Sequence, residues 1–217
     1  MNLNGKKINF LGDSITAGSC TSGKGYIYCD LIGEAYHATV RNYGIGGTRI
    51  ARQLSNEGPV GADGNFCDRA KTMDRDADVV VVFGGTNDFG HGDAPLGHPD
   101  DRTYDTFTGA CHQLFSFLLD TYPTAVIVVL TPLHRANENN PRGDCKPTDV
   151  GRLSDYVRIL RSVAEQYALP VLDLYAQGGI QPCNTAQREA LCPDGLHPND
   201  AGHRLIARKL GAFLESL

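Results

Sequence analysis

Five short apolar runs, rich in β-branched residues, punctuate the chain at positions 8–11, 39–43, 79–83, 126–130 and 171–174. The third and fourth are almost continuously apolar, which is what a strand covered on both faces requires. Between the runs the period lengthens. Over 103–121, Phe107, Ala110, Cys111, Leu114, Phe117 and Leu118 recur every three or four positions, and Pro123 closes the segment. Val150, Leu153, Val157, Leu160, Ala164 and Tyr167 repeat the pattern over 148–167. Two further helices are predicted at 26–36 and 198–214, with Pro198 suited to a first helical position. Strands separated by helix-length segments predict an α/β fold built on a central parallel sheet of about five strands, with helices on both faces. The apolar helical stripes are read as core.

Two stretches break the alternation. Residues 89–102 are dense in Gly, Pro, His and Asp, and residues 134–147 in Asn, Arg, Pro and Gly. Each follows the carboxyl end of a predicted strand, where open α/β sheets place their ligands, so both are candidate substrate loops.

Composition narrows the classes. A chain of 217 residues, 41% hydrophobic and 21% charged, fits one domain over 1–217 with one substantial core. A net charge of -5 without a Lys/Arg cluster gives no footprint for nucleic acid or an anionic membrane. No run reaches membrane-spanning length, and the N-terminal apolar run is too short for a signal-peptide core. The chain therefore reads as cytoplasmic, secretion after removal of a leader remaining the alternative. Seven cysteines, an odd number without C-x-x-C, are expected to be mostly reduced thiols. Cys183 and Cys192 are the pair placed for a bridge.

The chemistry concentrates in four places. Gly12-Asp13-Ser14 follows the first strand, so the Ser14 hydroxyl can project from the sheet edge. Serine is a weak nucleophile until a base takes its proton. Asp194-Gly195-Leu196-His197, flanked by Pro193 and Pro198, offers that base and a carboxylate to orient it. Asn42-Tyr43-Gly44-Ile45-Gly46-Gly47-Thr48 follows the second strand, where glycine lets a backbone N–H approach a ligand. Gly84-Gly85-Thr86-Asn87-Asp88 follows the third, and Asn87 brings a side-chain N–H. Taken singly, each has a plainer reading as a turn, a cap or a solvated helix start.

In order, these four segments resemble the blocks of the SGNH (GDSL-type) hydrolases, and they span most of the chain. The resemblance implies a flavodoxin-like three-layer α/β/α sandwich. It implies Ser14 as nucleophile, His197 as general base and then acid, and Asp194 as its orienter. The oxyanion donors would be the N–H of Ser14, the N–H of Gly47, with Gly46 the adjacent alternative, and the side chain of Asn87. The implied reaction is two-step acyl transfer on an ester, with no cofactor and no metal.

Three rival readings fit the sequence less well. A nucleotide- or flavin-binding module is disfavoured because the Gly44–Arg49 segment ends in arginine where the dinucleotide fingerprint wants glycine, and no phosphate-loop Gly-Lys-Ser/Thr is present. A metallohydrolase built from His91, Asp93, His98, Asp100 and Asp101 would need a spacing that matches no ligand motif. A binding domain of the same fold would leave the four segments without a purpose. Within the hydrolase reading, His91, His98, Arg102, His134 and Arg135 make the candidate loops polar, which favours a short acyl group on a polar alcohol, carbohydrate among them. A lysophospholipase or thioesterase is the alternative. His37, His112 and His203 are expected at the surface or core edge.

Overall fold

The computed structural model describes residues 1–54 and 64–217. In chain order the elements are β1 (Lys7–Gly12), α1 (Ser14–Ala17), α2 (Tyr28–Tyr36), β2 (Thr39–Gly44), α3 (Phe66–Ala70), β3 (Val79–Phe83), α4 (Thr86–Gly90), α5 (Phe107–Thr121), β4 (Val126–Leu130), α6 (Leu153–Gln166), β5 (Val171–Leu172), α7 (Leu174–Gln177), α8 (Thr185–Leu191) and α9 (Asp200–Ser216). All strand pairs are parallel, in the order β2-β1-β3-β4-β5. This is the three-layer α/β/α arrangement the sequence predicts.

Side-chain alternation divides the core in two. Val80 and Val82 of β3 join Leu11, Ile127 and Val129 in a cluster under α3, α5 and α6. Val79, Val81 and Phe83 join Ile8, Phe10 and Val128 in a second cluster under α2 and α9. A strand apolar at every position thus serves both faces, because successive side chains point to opposite sides.

Several boundaries move inward from the predicted ones, each for a local reason. Helix α5 begins at 107 because the hydroxyl of Thr106 accepts from Gly109 N and caps the first turn. Gly151 takes a left-handed φ of 104°, which delays α6 until 153. Strand β5 stops at 172 because the Asp173 carboxylate turns to accept from Ala176 N and caps α7. Pro198 lies one residue before the cap of α9 instead of inside its first turn: Asn199 is the cap, accepting from the N–H groups of Ala201 and Gly202.

The strand order reverses between β1 and β3, since the chain runs from β1 outward to β2 and returns past it. Such a switch point opens a crevice at the carboxyl ends of the strands. The segments after β1, β2 and β3 all emerge there.

Candidate active site

Asp13 ends the β1 turn and starts α1, its carboxylate accepting from Ile15 N at 3.0 Å. Close packing fixes the turn: a Cβ on Gly12 would lie 1.9 Å from Thr16 Oγ1, and one on Gly44 would lie 2.3 Å from Ala17 N. Asn42 Nδ2 donates to the Thr16 carbonyl at 2.7 Å, so the end of β2 is stitched to α1. Ser14 is the first residue of that helix and its N–H is among those a helix start leaves without an intrahelical partner.

Ser14 Oγ lies 2.9 Å from His197 Nε2. On the far side of the ring, His197 Nδ1 lies 2.7 Å from Asp194 Oδ2. The other carboxylate oxygen, Oδ1, accepts from Leu196 N at 2.8 Å and His197 N at 2.6 Å. Burial pulls the Asp194 pKa up, but these N–H donors and the histidine ring outweigh it and hold the group below its ordinary value. An ionised carboxylate only accepts, so Nδ1 bears the ring proton and Nε2 presents its lone pair to Ser14.

Gly46 sits beside the serine, its virtual Cβ 3.7 Å from Ser14 Cβ, and Gly47 takes the left-handed φ of 74°. From α4, Asn87 is nearly fully buried and its Nδ2 donates to Thr48 O at 3.0 Å. One amide hydrogen therefore fixes the side chain and the second remains to be offered. The four sequence segments meet around one serine.

Both candidate substrate loops are fastened to these parts. Arg135 is buried, donates from Nη1 to Thr86 O at 3.1 Å and from Nη2 to Asp144 Oδ1 at 2.6 Å. Asp144 N donates to Gly90 O, and Ala136 N donates to Gly195 O at 2.8 Å. The 134–147 loop thus ties α4 to the turn holding the Asp194–His197 pair. A cavity of about 690 Å³ lies between α2 and α9 and includes none of Ser14, Asp194 or His197. The site is located by its hydrogen-bond chain, not by volume.

Several supporting residues carry no sequence signal. Arg69 of α3 donates to Gly12 O at 2.8 Å, to Tyr43 O and to Thr48 Oγ1, and burial lowers its pKa to about 10. Asp88 accepts from Ile50 N and Ala51 N at 3.0 Å each. Burial raises Asp13 and Asp88 to about 6, against the N–H groups each accepts from. Lys146 Nζ donates to Asp88 O at 2.6 Å and to Tyr156 Oη at 3.0 Å, and burial lowers its pKa to about 8. Only Asp13 and Asp88, as motif neighbours of Ser14 and Asn87, could have been suspected.

Other expectations need correcting. His203 is buried in the core, His112 is buried at the core edge between Tyr167 and the Pro99 carbonyl, and His37 is exposed. His203 Nδ1 accepts from Tyr28 N at 3.1 Å and the ring stacks on Tyr28. Cys183 and Cys192 form no bridge: both are free, one exposed and one buried. The disfavoured metal reading of His91, Asp93, His98, Asp100 and Asp101 needs no correction: among the described residues these side chains are not gathered as a ligand group. His91 Nδ1 faces Arg49 Nη1 at 3.2 Å, and Asp93 accepts from Leu54 N.

Fold and relatives define the class: a parallel α/β/α protein with a hydrogen-bonded chain of Ser14, His197 and Asp194 at the carboxyl edge of its sheet. The model of the GDSL-like lipase/acylhydrolase family matches residues 10–205, and the chain belongs to that family of ester hydrolases. A GDSL lipase of Mycobacterium tuberculosis is 26% identical over 213 residues, covering 94% of this chain and 79% of that one. A protein of solved structure from Lactobacillus plantarum is 32% identical with a TM-score of 0.84, covering 98% of each chain. A two-domain esterase active on acetylated mannans shares the fold, with a TM-score of 0.60 at 21% identity over 98% of this chain and 49% of that one.

Proposed function

We propose that the protein hydrolyses short acyl esters of polar alcohols, acetylated carbohydrates foremost, through Ser14, His197 and Asp194. The observation that carries this reading is the continuous chain from Ser14 Oγ to His197 Nε2 at 2.9 Å and from His197 Nδ1 to Asp194 Oδ2 at 2.7 Å. His197 Nε2 takes the hydroxyl proton as Ser14 Oγ attacks the ester carbonyl. The oxyanion is received by the N–H groups of Ser14 and Gly47 and by the free Nδ2 hydrogen of Asn87. The tetrahedral adduct collapses, the alcohol departs with the proton from His197, and water repeats the sequence on the acyl-enzyme.

The polar character of the two candidate substrate loops supports this substrate class. His91, Arg135 and His134 lie on the two loops, and His134 Nδ1 pairs with Glu138 at 2.7 Å. Among the described residues, large exposed apolar side chains are scattered: Tyr26, Ile45, Leu54 and Leu217. A long acyl chain would need a contiguous apolar surface. An esterase active on acetylated mannans is built on the same fold, which supports a carbohydrate ester as the substrate proposed here.

The test is initial-rate hydrolysis of p-nitrophenyl esters from acetate to dodecanoate, and acetate release from acetylated oligosaccharides, by wild type and Ser14→Ala. Turnover confined to short chains and lost in Ser14→Ala is expected. Rates rising steadily toward dodecanoate would overturn the short-acyl assignment, and full activity in Ser14→Ala would overturn the nucleophile.

A further inference from the structure

We propose that Cys20, Asp194 and His197 form a binding site for a thiophilic divalent cation such as Zn²⁺, and that its occupation switches the serine off. Sγ of Cys20, a carboxylate oxygen of Asp194 and a ring nitrogen of His197 all lie within 4.8 Å of one another. Cys20 follows α1 in the left-handed conformation, φ 65°, and its Sγ stands 3.5 Å from Asp194 Oδ2. A tetrahedral Zn²⁺ with bonds of about 2.0–2.3 Å holds its ligand atoms about 3.3–3.6 Å apart. The Cys20–Asp194 separation already suits that geometry, and the Asp194–His197 contact at 2.7 Å needs only to open by a fraction of an ångström.

The donor set fits the ion in charge and softness. One thiolate, one carboxylate and one neutral imidazole balance a dication and match common Zn²⁺ ligands. Cys20 and Asp194 are exposed, so the cation can enter and water can fill its fourth position. The thiol releases its proton to solvent on binding. The ring stays neutral: its proton leaves Nδ1, whose lone pair goes to the cation, and a proton from solvent settles on Nε2. Nε2 then points a hydrogen at Ser14 where it had offered a lone pair, and the hydroxyl loses its base. Binding stands on this geometry alone; the loss of turnover rests on the function proposed above.

Purified protein titrated with Co²⁺ alone provides a spectroscopic reading independent of catalysis. A thiolate-to-cobalt charge-transfer band is expected in wild type, absent from Cys20→Ala, and reversed by a chelator. Cys145 and Cys183, both exposed, remain in that variant and serve as the internal control. In parallel, Zn²⁺ is titrated against p-nitrophenyl acetate hydrolysis, each protein scored against its own metal-free rate. At least a tenfold weaker inhibition midpoint is expected for Cys20→Ala. An unchanged cobalt band in Cys20→Ala overturns the site. Loss of the band with equal Zn²⁺ inhibition in both proteins overturns the link to the serine. If no ester is hydrolysed, the cobalt result still decides the binding.

Discussion

The side-chain amide of Asn87 is locked by the backbone of Thr48: Nδ2 donates to the Thr48 carbonyl at 3.0 Å. One proposed oxyanion donor is thereby oriented by the loop that supplies another, so the two move as a unit. Replacing Asn87 with Ala removes the donor and leaves the Thr48 carbonyl short of one partner. The expected result is a 100- to 1,000-fold fall in kcat, the range typical of a lost oxyanion donor, with a stability cost of only about 1–2 kcal/mol. Steady-state kinetics beside a urea melt checks both, and turnover within a factor of about ten of wild type would count against the donor role.

Arg69 gathers three acceptors from three segments, the Gly12 and Tyr43 carbonyls and the Thr48 hydroxyl. Its guanidinium also lies over the Phe66 ring at 5.0 Å. A planar fork can serve several acceptors at once, whereas a lysine presents one compact charge on a flexible stem. Arg69→Lys is expected to lower stability by about 2–4 kcal/mol and kcat by roughly 10- to 100-fold, since small displacements of reacting groups are costly. The effect should fall on kcat more than on KM. An Arg69→Lys enzyme with wild-type kcat would show that the fork does not position Ser14.

How much of this was legible beforehand depends on the range of the interaction. Val79–Phe83 reads as a two-sided strand because apolarity at every position is a local property of the sequence. Ser14, Asn87, Asp194 and His197, the proposed site residues, could be offered as candidates because each lies in a short segment and the four segments, in order, resemble the blocks of one family. Arg69 could not: its three partners lie far away in the chain, and an arginine on a short helix looks like any solvated charge. Cys20 beside Asp194 is likewise invisible until α1 and the last turn are brought together. His203 misled because a histidine in an amphipathic helix suggests an exposed edge, whereas here the ring stacks on Tyr28 and accepts from its N–H.

Gly44 tests the packing of α1 against the end of β2. A Cβ there would lie 2.3 Å from Ala17 N and 2.6 Å from Thr16 C, and backbone cannot rotate away as a side chain can. Gly44→Ala is therefore expected to push α1 from the sheet edge, costing about 1–3 kcal/mol as an overpacked site does and displacing Ser14 from His197. Thermal melts and a fluorophosphonate labelling rate should both fall. Gly23→Ala is the matched control, because a Cβ there meets nothing within 4 Å and only its positive φ is strained. Equal labelling rates for the Gly44 and Gly23 variants would refute the packing argument.

His203 makes the fold sensitive to acid. Burial lowers its pKa from 6.5 to about 4, more than nearby Asp200 raises it. The neutral ring accepts from Tyr28 N, while its Nε2 is buried without a hydrogen-bond partner. The folded state thus binds fewer protons than the unfolded chain between these two values. Its contribution is present in full above pH 6.5 and is lost as pH falls toward about 4, on the order of 3 kcal/mol at about 1.4 kcal/mol per unit. Asp13 and Asp88 act in the opposite sense. Raised from 3.8 to about 6, they bind protons more readily when folded and add stability as pH falls through that window. Wild type alone therefore shows a muted acid response. The separation comes from urea melts of wild type and His203→Asn at about pH 7 and about pH 4.5. The stability difference between the two proteins should shrink by on the order of 2–3 kcal/mol on acidification. A difference independent of pH would mean that His203 titrates normally despite its burial.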